Sequence, residues 1–115
     1  MKKLKGKIVN HNNSFIGEII FDEKINNINK IKSNQYDNYI IPGFVDLHCH
    51  GGGGYDSMSG LDDIKKMSKY HLINGTTTLL PTTLTAPLSD TYKAVEGLNE
   101  YIKNNNKKTN IIGLH

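Results

Sequence analysis

The sequence predicts a mixed α/β fold. Short strands occupy residues 1–41, and strands alternate with helices from residue 42 onward. Two observations point there. After Pro42-Gly43 the hydrophobic rhythm changes from isolated β-favouring runs to strand, helix, strand, helix, strand, the pattern of parallel βαβ units with right-handed crossovers. The first of those strands then ends in Asp46-Leu47-His48-Cys49-His50 and runs straight into four glycines, Gly51 to Gly54.

Residues 1–41 read as part of a β domain. Lys7-Ile8-Val9 is a short strand followed by a polar turn, His11-Asn12-Asn13-Ser14, in which His11 is exposed. Ile16 to Phe21 is β-favouring, and Asp22-Glu23-Lys24 turns the chain again. Ile25, Ile28 and Ile31 have no clean period, and Tyr39-Ile40-Ile41 leads to Pro42. The pattern fits a small β-meander or part of a sandwich.

Residues 42–115 read as the first βα units of a larger α/β domain. The first strand is Phe44 to His50. Side chains of a strand alternate between its faces. Asp46, His48 and His50 are therefore expected on one face, and Val45, Leu47 and Cys49 on an apolar face able to pack against helices. A first helix is expected to start near Ser59 as its N-cap, with Asp62 and Asp63 in its positive first turn. Its apolar side is Leu61, Ile64, Met67 and either His71 or Leu72. Asn74-Gly75 stops it. The second strand is Thr76 to Thr82, with Pro81 at its exit where a missing N–H is tolerated. A second helix runs from about Leu88 to Lys103, capped by Ser89 or Thr85, with Tyr92, Val95, Leu98 and Ile102 as its stripe. A polar loop, Asn104–Asn110, precedes a third strand from Asn110 to His115.

Composition narrows the function classes. The net charge of +3 comes from lysine alone, since arginine is absent. The lysines form no compact basic stripe, so the charge does not argue for nucleic acid. The single cysteine, Cys49, excludes an internal disulfide framework and behaves as a small buried hydrophobe. The basic start, Met1 to Lys7, is not followed by an apolar stretch long enough for a secretory leader. No run approaches the roughly 18 apolar residues of a membrane span. A cytoplasmic protein is the expectation.

The chemistry lies in His48 and His50. At i and i+2 of a strand their Cα atoms are about 7 Å apart on one face, near enough for both rings to hold one metal ion. The glycines beyond them crowd nothing, and they lack the spacing and the lysine of a phosphate-binding P-loop. Asp46 either orients a ligand from behind or hydrogen-bonds nearby backbone. The threonines at 76–78, 82, 83 and 85 are assigned mostly to β-propensity, turns and caps. His71 is read as a packed or surface histidine.

Pro42-Gly43-Phe44-Val45-Asp46-Leu47-His48-Cys49-His50 resembles the first barrel strand of the amidohydrolase superfamily. Gly51 to Asp56, Asn74-Gly75-Thr76-Thr77-Thr78-Leu79-Leu80-Pro81-Thr82-Thr83 and Ile112-Gly113-Leu114-His115 sharpen the resemblance to its N-acetylglucosamine-6-phosphate deacetylase family. Residues 1–41 match only in pattern. The resemblance implies a metal-dependent (β/α)₈ TIM barrel with a small β-sandwich built from both chain ends, of which this chain is the N-terminal part. Residues 1–41 would supply sandwich strands, and residues 42–115 the first two βα units and the entry to the third.

The resemblance also implies a reaction, removal of the N-acetyl group from N-acetylglucosamine 6-phosphate in amino-sugar metabolism. The cofactor would be a divalent metal, zinc or iron, held by His48 and His50. Asp46 and His115 would stand beside the ligands or the substrate. A glutamate ligand, two further histidines, the aspartate acid/base and the phosphate-binding residues would follow His115, so no catalytic residue is assigned within residues 1–115. The partner would be a small amino-sugar phosphate, with no nucleic acid or membrane, and the full protein a homo-oligomer, a dimer or tetramer. Two other readings fit the same residues. One is a different amidohydrolase, such as a dihydroorotase-like cyclic amidase. The other is a non-catalytic remnant serving as a binding or structural module.

Overall fold

The structure is a computed structural model and describes residues 1–104 and 109–115. The polar loop expected over Asn104–Asn110 falls mainly on residues 105–108, which lie outside the described residues. The chain divides into two compact units, Met1–Pro42 and Gly43–His115.

The first unit is a single four-stranded sheet. Strands β1 (Lys2–Val9) and β2 (Ser14–Phe21) pair antiparallel from Lys2 against Phe21 to Val9 against Ser14. The predicted turn at His11 closes this hairpin, with Asn10 N–H donating to the Asn13 carbonyl. β3 (Ile25–Lys30) pairs with β2, and β4 (Tyr39–Ile40) pairs parallel with β1, giving the order β3-β2-β1-β4. The arrangement is therefore more than a meander, because the chain returns to the far edge of its first strand. The turn into β3 is tied by Asp22, whose carboxylate accepts the Glu23 and Lys24 N–H groups and the Asn26 amide. The Asn26 bond foremost holds the Asp22 carboxyl below its usual range. Ile8 is buried, and Ile8, Ile19, Ile25, Ile28, Ile40 and Ile41 line a shallow apolar hollow on the sheet.

The second unit follows the predicted alternation. β5 (Phe44–Cys49), β8 (Thr76–Pro81) and β9 (Asn110–Ile111) form a parallel sheet in that order. Between β5 and β8 come a small hairpin, β6 (Gly51–Gly52) and β7 (Tyr55–Asp56), and helix α1 (Leu61–Ile73). Helix α2 (Leu88–Asn104) connects β8 to β9. The core is Cys49, Ile64, Met67, Leu79, Leu98, Tyr101 and Ile111, with Leu61 and Tyr55 packed against it. Ile64, Met67 and Leu79 are within 1% of complete burial. Each such side chain contributes about 1.5–3 kcal/mol by leaving water.

The glycine run has a local use. Gly53 and Gly54 take φ of 64° and 85°, the positive values a two-residue hairpin turn demands. A Cβ on Gly52 would lie 2.5 Å from His71 Nε2. The glycines let the hairpin lie flat against α1 immediately beyond the two histidines.

Three expectations need correction. Gly60, not Ser59, is the N-cap residue of α1, with φ 94° and no side-chain capping bond, although Asp62 and Asp63 do fall in the first turn. The buried side of α2 is Ala94, Gly97, Leu98 and Tyr101, whereas Tyr92 is 63% and Ile102 45% exposed. The cause is close approach of the helices. A Cβ on Gly97 would stand 2.6 Å from the Leu61 nitrogen and 2.8 Å from the Gly60 carbonyl carbon. Gly97 therefore faces α1, and of the predicted stripe Leu98 is buried while Tyr92 and Ile102 are turned outward. Finally, Val45 and Leu47 do not pack on helices and are 60% and 57% exposed. The register of β5 against β8 shifts after Phe44 and again between Asp46 and Cys49, so simple alternation fails along this strand.

Replacing Gly97 by Ala tests the helix contact. Backbone atoms cannot yield as a side chain does, so G97A is expected to destabilise the fold by about 1–3 kcal/mol. Urea denaturation of the two proteins checks it; equal midpoints would mean the helices have room to spare.

Candidate metal centre

In a parallel sheet, every strand ends on the same side. The C-terminal ends of β5, β8 and β9 therefore deliver His48 and His50, Thr82 and Thr83, and His115 to one edge. Open α/β sheets and barrels place their sites at that edge.

Hydrogen bonds hold the edge in register. Thr82 N–H donates to the Cys49 carbonyl at 2.8 Å, and Thr82 Oγ1 accepts the Cys49 N–H at 3.0 Å. On the other side, His115 N–H donates to the Pro81 carbonyl at 2.9 Å and Thr83 N–H to the His115 carbonyl at 3.0 Å. Pro81 has no N–H to lose at this position, and its carbonyl is still used.

The imidazoles converge. His48 Nε2 and His50 Nε2 are 3.1 Å apart, with ring centroids 4.8 Å apart and planes at 82°. The His115 ring lies 4.7 Å from that of His48. His50 Nδ1 is 3.1 Å from the Thr82 carbonyl. A carbonyl only accepts, so Nδ1 carries a proton, and Nε2 is the nitrogen directed at His48. Outer bonds of this type orient metal-binding histidines. Two imidazole nitrogens 3.1 Å apart suit the bite of a single divalent ion, so the donors present fit such an ion.

Asp46 is placed differently from the expectation that it shares the histidine face. It stands in register with the buried Leu79, and its carboxylate lies within 4.8 Å of Cys49 Sγ and of a ring nitrogen of His71. Its link to the histidine pair is through backbone: Oδ1 accepts the His48 N–H at 3.1 Å. Of the two roles read from the sequence, this is the hydrogen bond to nearby backbone. The Cys49 thiol is pushed up by burial, with the nearby Asp46 charge adding to the effect. His71, read as packed or surface, is half-buried and touches Cys49 Sγ at 3.2 Å and the Gly51 carbonyl at 3.1 Å.

Ser57 escaped the sequence reading, and Thr82 was read there only as one of several threonines at the second strand. Thr82 is 3% and Ser57 1% exposed. The Thr82 carbonyl accepts both His50 Nδ1–H and Ser57 Oγ–H, the latter at 2.6 Å. The signal was weak, since a threonine after a β-rich run has an ordinary propensity explanation. Pro81, which ends strand pairing at that point, was the available clue.

No family profile matches the chain. Its sequence is similar to the N-terminal region of sugar-phosphate deacetylases. It is 34% identical over 80 residues to the N-acetylglucosamine-6-phosphate deacetylase of Haemophilus influenzae, a match covering 68% of this chain and 20% of that protein. It is 31% identical over 75 residues to the N-acetylgalactosamine-6-phosphate deacetylase of Escherichia coli O157:H7, covering 64% of this chain and 20% of that protein. The structure is similar to that of the N-acetylglucosamine-6-phosphate deacetylase of Thermotoga maritima, with a TM-score of 0.87 and 29% identity over 99% of this chain and 31% of that one. The chain thus spans about a fifth of the length of the curated relatives it matches.

Thr82→Val tests the register. It strands the buried Cys49 N–H, and a loss of about 1–3 kcal/mol in unfolding free energy is expected. Thermal and urea melts read it, and an unchanged stability would show that the Oγ1 contact is dispensable.

Proposed function

We propose that this chain is the N-terminal portion of a metal-dependent hydrolase that removes the N-acetyl group from N-acetylglucosamine 6-phosphate, giving glucosamine 6-phosphate and acetate. One observation supports it above others: a converging imidazole pair, with Nδ1 of His50 turned to the Thr82 carbonyl, at the C-terminal edge of a parallel sheet. The sequence and structural relatives named as deacetylases supply the substrate class.

In this reading β5, β8 and β9 are the first three strands of a (β/α)₈ barrel, and β1 to β4 belong to a small β-sandwich completed by later chain. The described residues themselves close no barrel. His48 and His50 hold the ion, zinc or iron, through Nε2. When bound, such an ion polarises the amide carbonyl and lowers the pKa of water towards about 7. The chain's own contribution is positional. Thr82 fixes the tautomer of His50, and Asp46 holds the His48 peptide. His115 stands beside His48 with its ring 4.7 Å away and tilted by 56°. The remaining ligands and the acid/base come from residues after His115. So does the phosphate clamp, if it uses arginine, because residues 1–115 contain none.

The same reading makes the partner a small amino-sugar phosphate rather than a nucleic acid or a membrane. It sets the enzyme in the cytoplasm as a homo-oligomer. No described helix is long and apolar enough to cross a membrane. N-acetylgalactosamine 6-phosphate is the second substrate reading, favoured by the Escherichia coli relative.

Acetate release by the full-length protein tests the proposal, with both sugar phosphates as substrates. Chelation is expected to abolish activity and added zinc or iron to restore it. The double variant H48A/H50A is expected to bind less metal and to lose at least about a hundredfold in kcat/KM. Metal-independent turnover, or no release from either substrate with metal supplied, would sink it.

A further inference from the structure

β5 has donor atoms on its helix-facing side as well. Asp46, Cys49 and His71 each offer one ligand atom, and these lie within 4.8 Å of one another. Among the described residues they are the one group of three histidine, cysteine or acidic donors gathered so closely. Cys49 Sγ and His71 Nε2 are 3.2 Å apart. The Gly51 carbonyl adds a fourth donor, 3.2 Å from the sulfur and 3.1 Å from the nitrogen. The elements that bring them together are different: β5 gives Asp46 and Cys49, α1 gives His71, and β6 gives Gly51. Gly51 and Gly52 leave the room, since a Cβ on Gly52 would meet His71 Nε2.

We propose that Asp46, Cys49 and His71, with the Gly51 carbonyl, form a second cation site, selective for a borderline-soft divalent ion of the zinc class. Thiolate, imidazole and carboxylate are the three side-chain donors zinc takes. With metal–ligand arms of 2.0–2.3 Å, a tetrahedral ion sets its ligand atoms roughly 3.3–3.8 Å apart. The sulfur–nitrogen spacing of 3.2 Å is already close to that. The widest pair closes by about 1 Å through a carboxylate rotation. On binding, a metal–sulfur bond forms as the S–H bond breaks, and the proton passes to solvent. The His71 Nε2 proton, which faces the Gly51 carbonyl in the metal-free protein, passes by way of solvent to Nδ1, so His71 binds as a neutral ring; Asp46 binds as a carboxylate, and no electrons are transferred.

All four positions are filled by protein, which marks a structural site rather than a catalytic one. An ion there ties the end of β5 to the hairpin and to α1. It also fixes Asp46, whose Oδ1 holds the His48 peptide from behind. The inference stands apart from the deacetylase reading, because it uses neither His48 nor His50 and needs no substrate.

The test is a cobalt(II) titration of the full-length protein after metal removal by chelation. A near-ultraviolet thiolate-to-cobalt charge-transfer band is expected. It should persist in H48A/H50A and vanish in Cys49→Ser. His71→Gln, which retains a donor for the Gly51 carbonyl, should weaken cobalt binding roughly ten- to a hundredfold. A second measurement needs no variant: zinc should slow alkylation of Cys49 at least tenfold, read by peptide mass. Three results would overturn the site: no thiolate band, a band that H48A/H50A removes, or alkylation at the same rate with and without zinc. The cluster would then be a hydrogen-bonded knot only. Failure of the deacetylase reading shows separately, in acetate release.

Discussion

The reciprocal hydrogen bonds between Cys49 and Thr82 are the constraint on which the site depends. Thr82 N–H reaches the Cys49 carbonyl, and Thr82 Oγ1 receives the Cys49 N–H. Ladder bonds in a parallel sheet are slanted and less stable per residue than antiparallel ones. A side chain that replaces one of them at a strand end is therefore valuable. It sets the height of β5 against β8, and with it the height of both flanking histidines. The carbonyl of the same threonine then decides which nitrogen of His50 is protonated. One buried residue thus governs strand register, ring orientation and tautomer.

The glycines beyond His50 serve the same end by subtraction. Side chains there would collide with Tyr70, with His71 and with the hairpin's own backbone. Their absence lets β6 and β7 fold onto α1, which covers Cys49 and leaves the histidine side open. The Asn74-Gly75 stop and the close contact at Gly97 act similarly at larger scale. Gly75 takes φ of 98° to leave α1 and enter β8. Gly97 lets α2 approach α1 so that Leu98 and Tyr101 reach the core.

The two sides of β5 differ in electrostatic character. Towards the helices, Cys49 is 6% exposed, its thiol proton retained by burial, beside a carboxylate and an imidazole. On the histidine side, His48 is exposed and His50 half-buried, and the donors are imidazole nitrogens alone. A strand that alternated strictly would have put Asp46 with the histidines. The register shift between Asp46 and Cys49 breaks that rule.

The sequence by itself determined the alternation of strands and helices after Pro42 and the stop at Asn74-Gly75. It also determined the neighbouring imidazoles at 48 and 50. Each of these is a local matter: periodicity, a positive-φ glycine, or two residues apart on one strand. Tertiary structure decided which face of α2 is buried, because a helix as polar as this one has two candidate stripes and only the space at Gly97 chooses between them. It decided that Val45 and Leu47 stay exposed, that Asp46 turns towards Cys49 and His71, and that Thr82 rather than any neighbouring threonine orients His50. Those outcomes rest on contacts between residues far apart in the chain, such as Cys49 with His71 and with Thr82 and Gly97 with Leu61. No local pattern encodes such a pairing, since it exists only once two strands and a helix are packed at a fixed register.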